Sequence, residues 1–498
     1  MKKFLYLAFI AFFCVCNIKA QVAEVSDSLV QVYKSSDSRF YTFNYPSKSA
    51  TGEDVVLSSL LIAWTPSNPA ETDSIESLHI YSHYTITANQ ECPSLNQDFQ
   101  IRLLFGTLAN GKYNSNPDNN YISRCVIIAP DYEGYGVSKD RNHPYLAEEL
   151  TAKQVMDAVQ YGLELYQKHV NDERALAIKS DWRSFSIGYS QGGAVALAVQ
   201  RHIEQNNLSN ALHFRGSICG DGPYDLIATL RYYLNDNGTS YDTSTDHLQG
   251  MTTLPMVIPL IIKGMLDTHP DMQTHTLEDY LSQQFLDTGI MDWIASKTLS
   301  TGDMGKKWYQ QLQEGLDANG RHYTPEQMAE LFYSPSMNTV WGRLDKLFTP
   351  GFADYTGQWV DLYQAMADNG VASGWQPQHR IQFVHARGDM VVPFGNYLAF
   401  RDAHQEDEGE LFRIDDSITS TDHSNVGMQF FISLAAGLYG DYFQWLDESP
   451  TTTDIEKVFR QRGNDEETIW YSLDGRRLNG RPTTKGIYVF RGKKIAIK

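Results

Sequence analysis

A serine with glycines two positions to either side, Gly188-Tyr189-Ser190-Gln191-Gly192, has the spacing of a nucleophile presented on a tight turn. The pattern follows a strand-like run, 182–188, and precedes a small-residue, helix-like run, 194–204. A serine in a strained turn at a strand end leaves no room for side chains two residues away, which is what the glycines provide. The turn aims the Ser190 Oγ outward and leaves the Gln191 backbone N–H at a helix N-terminus, where it can stabilise an oxyanion.

A serine hydroxyl is a poor nucleophile until a base removes its proton, so a histidine oriented by a carboxylate is expected, in the chain order Ser, acid, His. After the strand-like Ile381-Gln382-Phe383-Val384-His385 comes Ala386-Arg387-Gly388-Asp389-Met390-Val391-Val392-Pro393, which sets Asp389 on a turn at a strand end. Further on, Asp422-His423-Ser424-Asn425 sets His423 in a polar loop before a helix. The competing histidines are His385, which lies in the strand and reads as structural, and His404, in a helix-like surface stretch. Rival acids are Asp221 and Asp225 after the 214–219 run, and Asp415, Asp416 and Asp422 near His423. Asp389 is preferred because the base needs its acid on a rigid strand-end turn. A second oxyanion donor is expected after an early strand, where Tyr84 or Thr85 can present a backbone N–H and His83 braces the loop. This chemistry, acyl transfer to water through an acyl-enzyme, needs neither cofactor nor metal. No Cys/His cluster has zinc spacing. Asp317, Asn319 and Gly320 are residue types of a calcium loop without its remaining ligands, and read as a turn.

The elements that must position these groups follow a pattern. From about 54 to 225, β-rich runs at 55–63, 77–82, 124–130, 182–188 and 214–219 alternate with helix-like segments, which predicts a mostly parallel sheet flanked by helices. The strongest helix is expected over 148–169, with Val155, Ala158, Val159, Leu163 and Tyr166 at helical spacing. The expected organisation is an α/β core over 21–226, a helical cap over 227–375, the rest of the core over 376–446, a linker over 447–468 and a β-hairpin tail over 469–498. Within the cap, the apolar run 254–266, interrupted by Pro255, Pro259 and Lys263, is too short to span a bilayer. It suits the buried core of the cap, a wall of an acyl pocket or a lid.

Residues 1–20 set Lys2 and Lys3 before an apolar run ending at Ala20, which predicts a secretory leader cleaved before Gln21 and a secreted, periplasmic or cell-surface protein. The run is shorter than a membrane span, and the bulky residues before Cys14 and Cys16 argue against a lipid anchor. Of five cysteines, Cys92, Cys125 and Cys219 remain after cleavage; Cys125 and Cys219 lie in apolar runs and read as buried hydrophobes. The formal charge of −19 becomes −22 when Lys2, Lys3 and Lys19 leave with the leader, which argues against nucleic acid and anionic membrane surfaces as partners. The 42% hydrophobic composition is ample for a large core.

The segments Ser82-His83-Tyr84-Thr85, Ala129-Pro130-Asp131-Tyr132-Glu133-Gly134-Tyr135-Gly136, His143-Pro144-Tyr145-Leu146, Gly188-Tyr189-Ser190-Gln191-Gly192-Gly193, Arg387-Gly388-Asp389 with Val392-Pro393, and Asp422-His423-Ser424 together span most of 50–440. In them the chain resembles the secreted lipase-like branch of the α/β-hydrolases, represented by fungal secretory lipases and related bacterial esterases. The resemblance implies an α/β-hydrolase fold, an ester-cleaving triad and a helical cap over the acyl site, with lipid, small-molecule or polysaccharide esters as substrates. That family's first segment usually reads His-Gly-Thr; Tyr84 stands here at the glycine, leaving the second oxyanion donor open between Tyr84 and Thr85. A serine peptidase of the prolyl-oligopeptidase type would use the same fold and triad order, but no repeated β blades precede the core. A binding protein on a hydrolase scaffold is the alternative outside catalysis. The tail resembles the short basic C-terminal modules of secreted Gram-negative bacterial proteins, which implies a sorting machinery as partner; a plain β appendage is the other reading.

Overall fold

The five expected β runs become strands, and the four at 77–82, 124–130, 182–188 and 214–219 lie side by side in a parallel sheet covered by helices on each side. The structure, a computed structural model, describes residues 23–96, 105–106, 109, 124–170, 175–234, 248–354 and 356–448, and in the tail 470–472, 477–478, 482, 486–490 and 493–497. The leader expected over 1–20, and all but the first two residues of the linker expected over 447–468, lie outside the described residues. The main sheet has nine strands: β1 (Val30–Lys34), β2 (Ser38–Lys48), β3 (Asp54–Trp64), β4 (Ile75–Ser82), β5 (Cys125–Pro130), β6 (Ile178–Tyr189), β7 (Phe214–Gly220), β8 (Arg380–Val384) and β9 (Phe412–Asp415). Their order is β1-β2-β3-β5-β4-β6-β7-β8-β9. The first three are antiparallel and the remaining six run parallel to one another. The crossover at β4 and β5 makes a switch point, and open α/β sheets bind ligands outside the C-terminal ends of such strands.

On one face pack α1 (Glu148–His169) and α2 (Gln191–Gln205), whose Val155, Val159, Leu197 and Ile203 join β-strand side chains such as Leu61 and Ile128 in one core. Between β7 and β8 the chain leaves the sheet and builds a second core of its own, which includes Phe285, Trp308, Phe332 and Trp359. Its helices include α3 (Leu226–Leu234), α4 (Val257–Thr268), α5 (Thr301–Glu314) and α6 (Trp359–Asn369). The apolar run 254–266 thus forms most of α4, burying Ile258, Leu260, Ile262 and Met265. Asn319 and Gly320 form the two-residue turn of a small hairpin, at φ 50° and 73°, and Asp317 lies in the strand before it, paired with His322. Lys297 ties this inserted layer to the sheet: its buried ammonium donates to the carbonyls of Gly134, Lys139 and Arg141.

After β8 come α7 (Gly395–Ala403), α8 (His423–Ala435) and α9 (Gly440–Asp447). Gly437, at φ 75°, separates α8 from α9. Val426, Phe430, Leu434 and Phe443 from α8 and α9 cover the other face of the sheet. In the tail, the described strands pair as an antiparallel sheet in the order Arg477–Leu478, Trp470–Ser472, Gly486–Phe490, Lys493–Ile497. No helix among the described residues is long and apolar enough to cross a membrane. Cys92, Cys125 and Cys219 are all buried thiols.

Candidate active site

Ser190 is the single residue between β6 and α2, at φ 59° and ψ −126°, a conformation that a side chain bearing a Cβ adopts only under constraint. The constraint is backbone packing. A Cβ on Gly188 would sit 2.0 Å from the Gly192 carbonyl oxygen, and one on Gly192 would sit 2.0 Å from the Ser82 carbonyl oxygen. The two glycines therefore let the β6 end and the loop after β4 close around the serine. The Ser190 N–H donates to Gly220 O at 2.9 Å, pinning the turn to the end of β7.

His423 is the first residue of α8 and Asp389 stands on the turn five residues past β8. The structure brings them to Ser190: His423 Nε2 lies 2.8 Å from Ser190 Oγ, and His423 Nδ1 lies 2.5 Å from Asp389 Oδ2. The other Asp389 oxygen accepts the N–H groups of Val391 at 2.8 Å and Val392 at 3.0 Å. Burial pushes the Asp389 carboxyl up, but the hydrogen bond and electrostatic pull of His423 and the Val391 N–H outweigh it and hold it below the usual carboxylate range. With the carboxylate on Nδ1–H, the ring presents an unprotonated Nε2 to the serine, the tautomer a general base requires.

Most of the rival acids and histidines are used elsewhere. Asp422 caps α8 by accepting from Asn425 N at 2.8 Å, and Asp225 caps α3 by accepting from Ile227 N at 2.8 Å. Asp415 accepts from Ser417 N and the Tyr442 hydroxyl, and Asp416 pairs with Arg387. Asp221 is buried beside Asp389. His385 is fully buried and its Nε2 donates to Val392 O at 2.9 Å, bracing the loop that carries Asp389. His404, expected in a surface stretch, is instead buried at the end of α7 with its ring 4.4 Å from Phe400, because that end of the helix turns inward under Trp375.

Of the two candidate oxyanion donors after β4, Thr85 lines the cavity that Ser190 opens into. Its Oγ1 lies 2.7 Å from the Tyr145 hydroxyl. Tyr84 lines a different recess, with its ring facing Phe431. The His83 ring stacks on Tyr132 and reaches the carbonyls of Tyr84 and Asp131; burial lowers its pKa to about 4, so it stands neutral in the loop. Gln191 begins α2, where backbone N–H groups have no acceptor within the helix. Its side chain is held by His143, whose Nε2 accepts from Gln191 Nε2 at 3.0 Å and whose Nδ1–H donates to Glu133 O at 2.9 Å. Burial lowers the His143 pKa to about 3, so that ring too is neutral.

Sequence reasoning missed two contributors. His143 entered only within a family-like segment. Tyr189 sits inside the serine motif at a variable position, yet its hydroxyl donates to His423 O at 2.6 Å and lies 3.2 Å from His423 Nδ1, holding the start of α8 over the elbow. No spacing signal reveals either.

The cavity at Ser190 has a volume of about 110 Å³, and its walls are almost wholly apolar: Leu226 and Leu230 of α3, Val257 and Ile261 of α4, and Trp359 and Met366 of α6 take part. Three helices of the inserted layer thus roof the serine. No group of three His, Cys, Asp or Glu side chains poised to hold a metal occurs among the described residues.

Sheet order, elbow, strand-end acid and inserted roof together define an α/β-hydrolase fold. No family model and no curated protein sequence matches the chain. Solved structures do: the chain is similar to the rice cell wall degrading esterase LipA from Xanthomonas oryzae, at 20% identity and a TM-score of 0.55, over 80% of this chain and 89% of that one. A Legionella pneumophila structure described as a candidate hydrolase aligns at 16% identity and a TM-score of 0.55, over 85% and 91%. Candida antarctica lipase A aligns more loosely, at 14% identity and a TM-score of 0.47, over 83% and 81%. At these identities the shared feature is the fold.

Proposed function

We propose that the chain is a serine hydrolase of carboxylic esters working through an acyl-enzyme, with Ser190 as nucleophile, His423 as general base and acid, and Asp389 as the carboxylate that orients the imidazole. The observation that carries the reading is the relay Ser190 Oγ, His423, Asp389 at 2.8 and 2.5 Å, opening on an apolar cavity. His423 Nε2 takes the Ser190 proton as Oγ attacks the carbonyl carbon; the oxyanion is held by the Gln191 N–H and, from the β4 loop, the Thr85 N–H, Tyr84 being turned to another recess. His423 then passes the proton to the departing alcohol, and a water repeats the sequence to free the acid.

The apolar walls favour an aliphatic acyl chain, so among short-acyl, long-acyl, feruloyl and acetyl-sugar esters the highest kcat/KM is expected for aliphatic acyl chains longer than acetate. Proline-containing amides are expected to be poor substrates, and a clear amide preference would turn the reading to a peptidase. Val257→Trp adds an indole to the wall, and each lost methylene contact is worth about 1 kcal/mol. That variant is expected to lower octanoate hydrolysis about tenfold more than acetate hydrolysis; equal losses on the two esters would remove the cavity as the acyl site.

Export belongs to the same reading, with residues 1–20 as the leader and the tail as a sorting or attachment module. N-terminal sequencing of the mature protein is expected to begin at Gln21; a retained Met1 would remove the leader.

A further inference from the structure

Two carboxyls, not one, reach the same end of the sheet. β7 and β8 are adjacent and parallel, with Gly220 opposite Val384; Asp221 follows the first strand directly and Asp389 follows the second by five residues. Asp221 is held in place at both ends of its structure. Its backbone, at φ 34°, donates to Val384 O at 2.9 Å, and its Oδ1 accepts the Ala386 N–H at 3.0 Å. Both carboxyls are essentially without solvent contact.

Donors and charges around the pair are unequally shared. Asp389 receives two backbone N–H groups and the His423 ring. Asp221 receives one backbone N–H, and its Oδ2 is buried with no donor aimed at it. His385 Nε2 is 3.7 Å from Asp221 Oδ1, but its proton is given to Val392 O. Burial lowers the His385 pKa to about 4, so that ring brings no cation. The other titratable groups within electrostatic reach are phenols that burial keeps protonated: Tyr189 from β6, Tyr224 after β7 and Tyr439 before α9 for Asp221, and Tyr189 and Tyr233 of α3 for Asp389. His423 is thus the one group here able to carry positive charge, and it is paired with Asp389. Two carboxylates in contact in a desolvated site cannot both ionise.

Resting on the triad reading above, the geometry points to Asp221 as a protonated positioning residue, whose Oδ2–H donates to the Asp389 carboxylate and holds it facing His423. Burial first, and the neighbouring Asp389 charge second, keep the Asp221 carboxyl well above the usual range and within hydrogen-bonding reach of Asp389. The orphaned oxygen thereby becomes a donor, and the buried pair carries a single negative charge. A neutral donor also draws charge from Asp389, so the carboxylate pulls less strongly on the imidazole it orients.

The test is the pH profile of kcat/KM on a p-nitrophenyl ester for the wild-type chain, Asp221→Ala and Asp221→Asn. In Asp221→Ala the donor is gone, and the acidic limb is expected to move to higher pH by roughly half a unit or more, with kcat about tenfold lower and KM little changed. Asparagine can accept from Ala386 N and donate from Nδ2 in the place of Oδ2, so Asp221→Asn is expected to bring back the limb and most of kcat. A limb that moves to lower pH in both variants would mean that Asp221 carries a charge in the native site, and the proposal fails. A limb that stays put in Asp221→Ala while the melting temperature falls would make Asp221 a packing residue only, and the proposal fails again. Should Asp221→Ala not fold, Asp221→Asn decides alone: an unmoved limb supports the donor and a downward shift overturns it. Labelling of wild-type Ser190 by a fluorophosphonate is scored separately, since its absence removes the triad reading itself, whereas a labelled protein with a downward limb loses only the role of Asp221.

Discussion

Ser190→Ala is expected to lower kcat on p-nitrophenyl esters by roughly 10⁴- to 10⁶-fold, with KM and melting temperature almost unchanged. The size follows from what the hydroxyl alone supplies. Oγ is the attacking atom, and its contact with His423 Nε2 is the bond through which its proton leaves. Alanine keeps the Cβ, so the strained turn at φ 59° is no easier or harder to form. The oxyanion donors and the apolar cavity stay, which leaves a residual rate above the uncatalysed one. His423→Ala should cost a similar factor, and adding it to Ser190→Ala should cost little more, because residues that act as one unit are not additive. A Ser190→Ala rate within tenfold of wild type would remove the serine from the chemistry. Loss of rate with a matching loss of melting temperature would mean that the variant reports on folding instead.

Why those three residues stood out as candidates is physical. The serine motif is a local steric requirement, written in glycines two positions away, and parallel strands of the sheet such as Cys125–Pro130 and Phe214–Gly220 are almost wholly buried because both of their faces are covered. The helix expected over 148–169 is Glu148–His169 because a long amphipathic period leaves little choice. Asp389 and His423 follow from chain order and from the rule that loops at the strand ends carry chemistry. What stayed hidden is set across the chain. β1 and β2 are antiparallel and mixed in composition, with Ser38, Asn44, Pro46 and Lys48 among the apolar positions, and they pair only because β3 is there to receive them. His404 reads as surface until Trp375 and Phe400 are seen to close over it. Tyr189, His143 and Asp221 gain their roles from partners 234, 48 and 165 residues away, distances over which spacing in one sequence carries no signal.

Gly188→Ala tests whether the elbow is as tightly closed as its backbone contacts require. The added methyl would lie 2.0 Å from Gly192 O, 2.3 Å from Gly192 C and 3.0 Å from Gly192 Cα. All three are backbone atoms, so no rotamer change relieves the overlap; β6 and the first turn of α2 must separate. Overpacking of this kind costs about 3 kcal/mol or more. A displacement of the serine by about 1 Å is enough to lose about 10² in rate, so kcat/KM should fall at least that far even in the fraction that folds. Gly305 provides the contrast. It lies inside α5 with nothing within 4 Å of a Cβ, and Gly305→Ala should stabilise the chain by about 0.5–1 kcal/mol through helix propensity, leaving the rate alone. The paired measurement is thermal denaturation with kcat/KM on the same preparations. If Gly188→Ala melts and turns over like the wild type, the elbow is looser than its contacts imply, and the strain at Ser190 is not what aims its hydroxyl at His423.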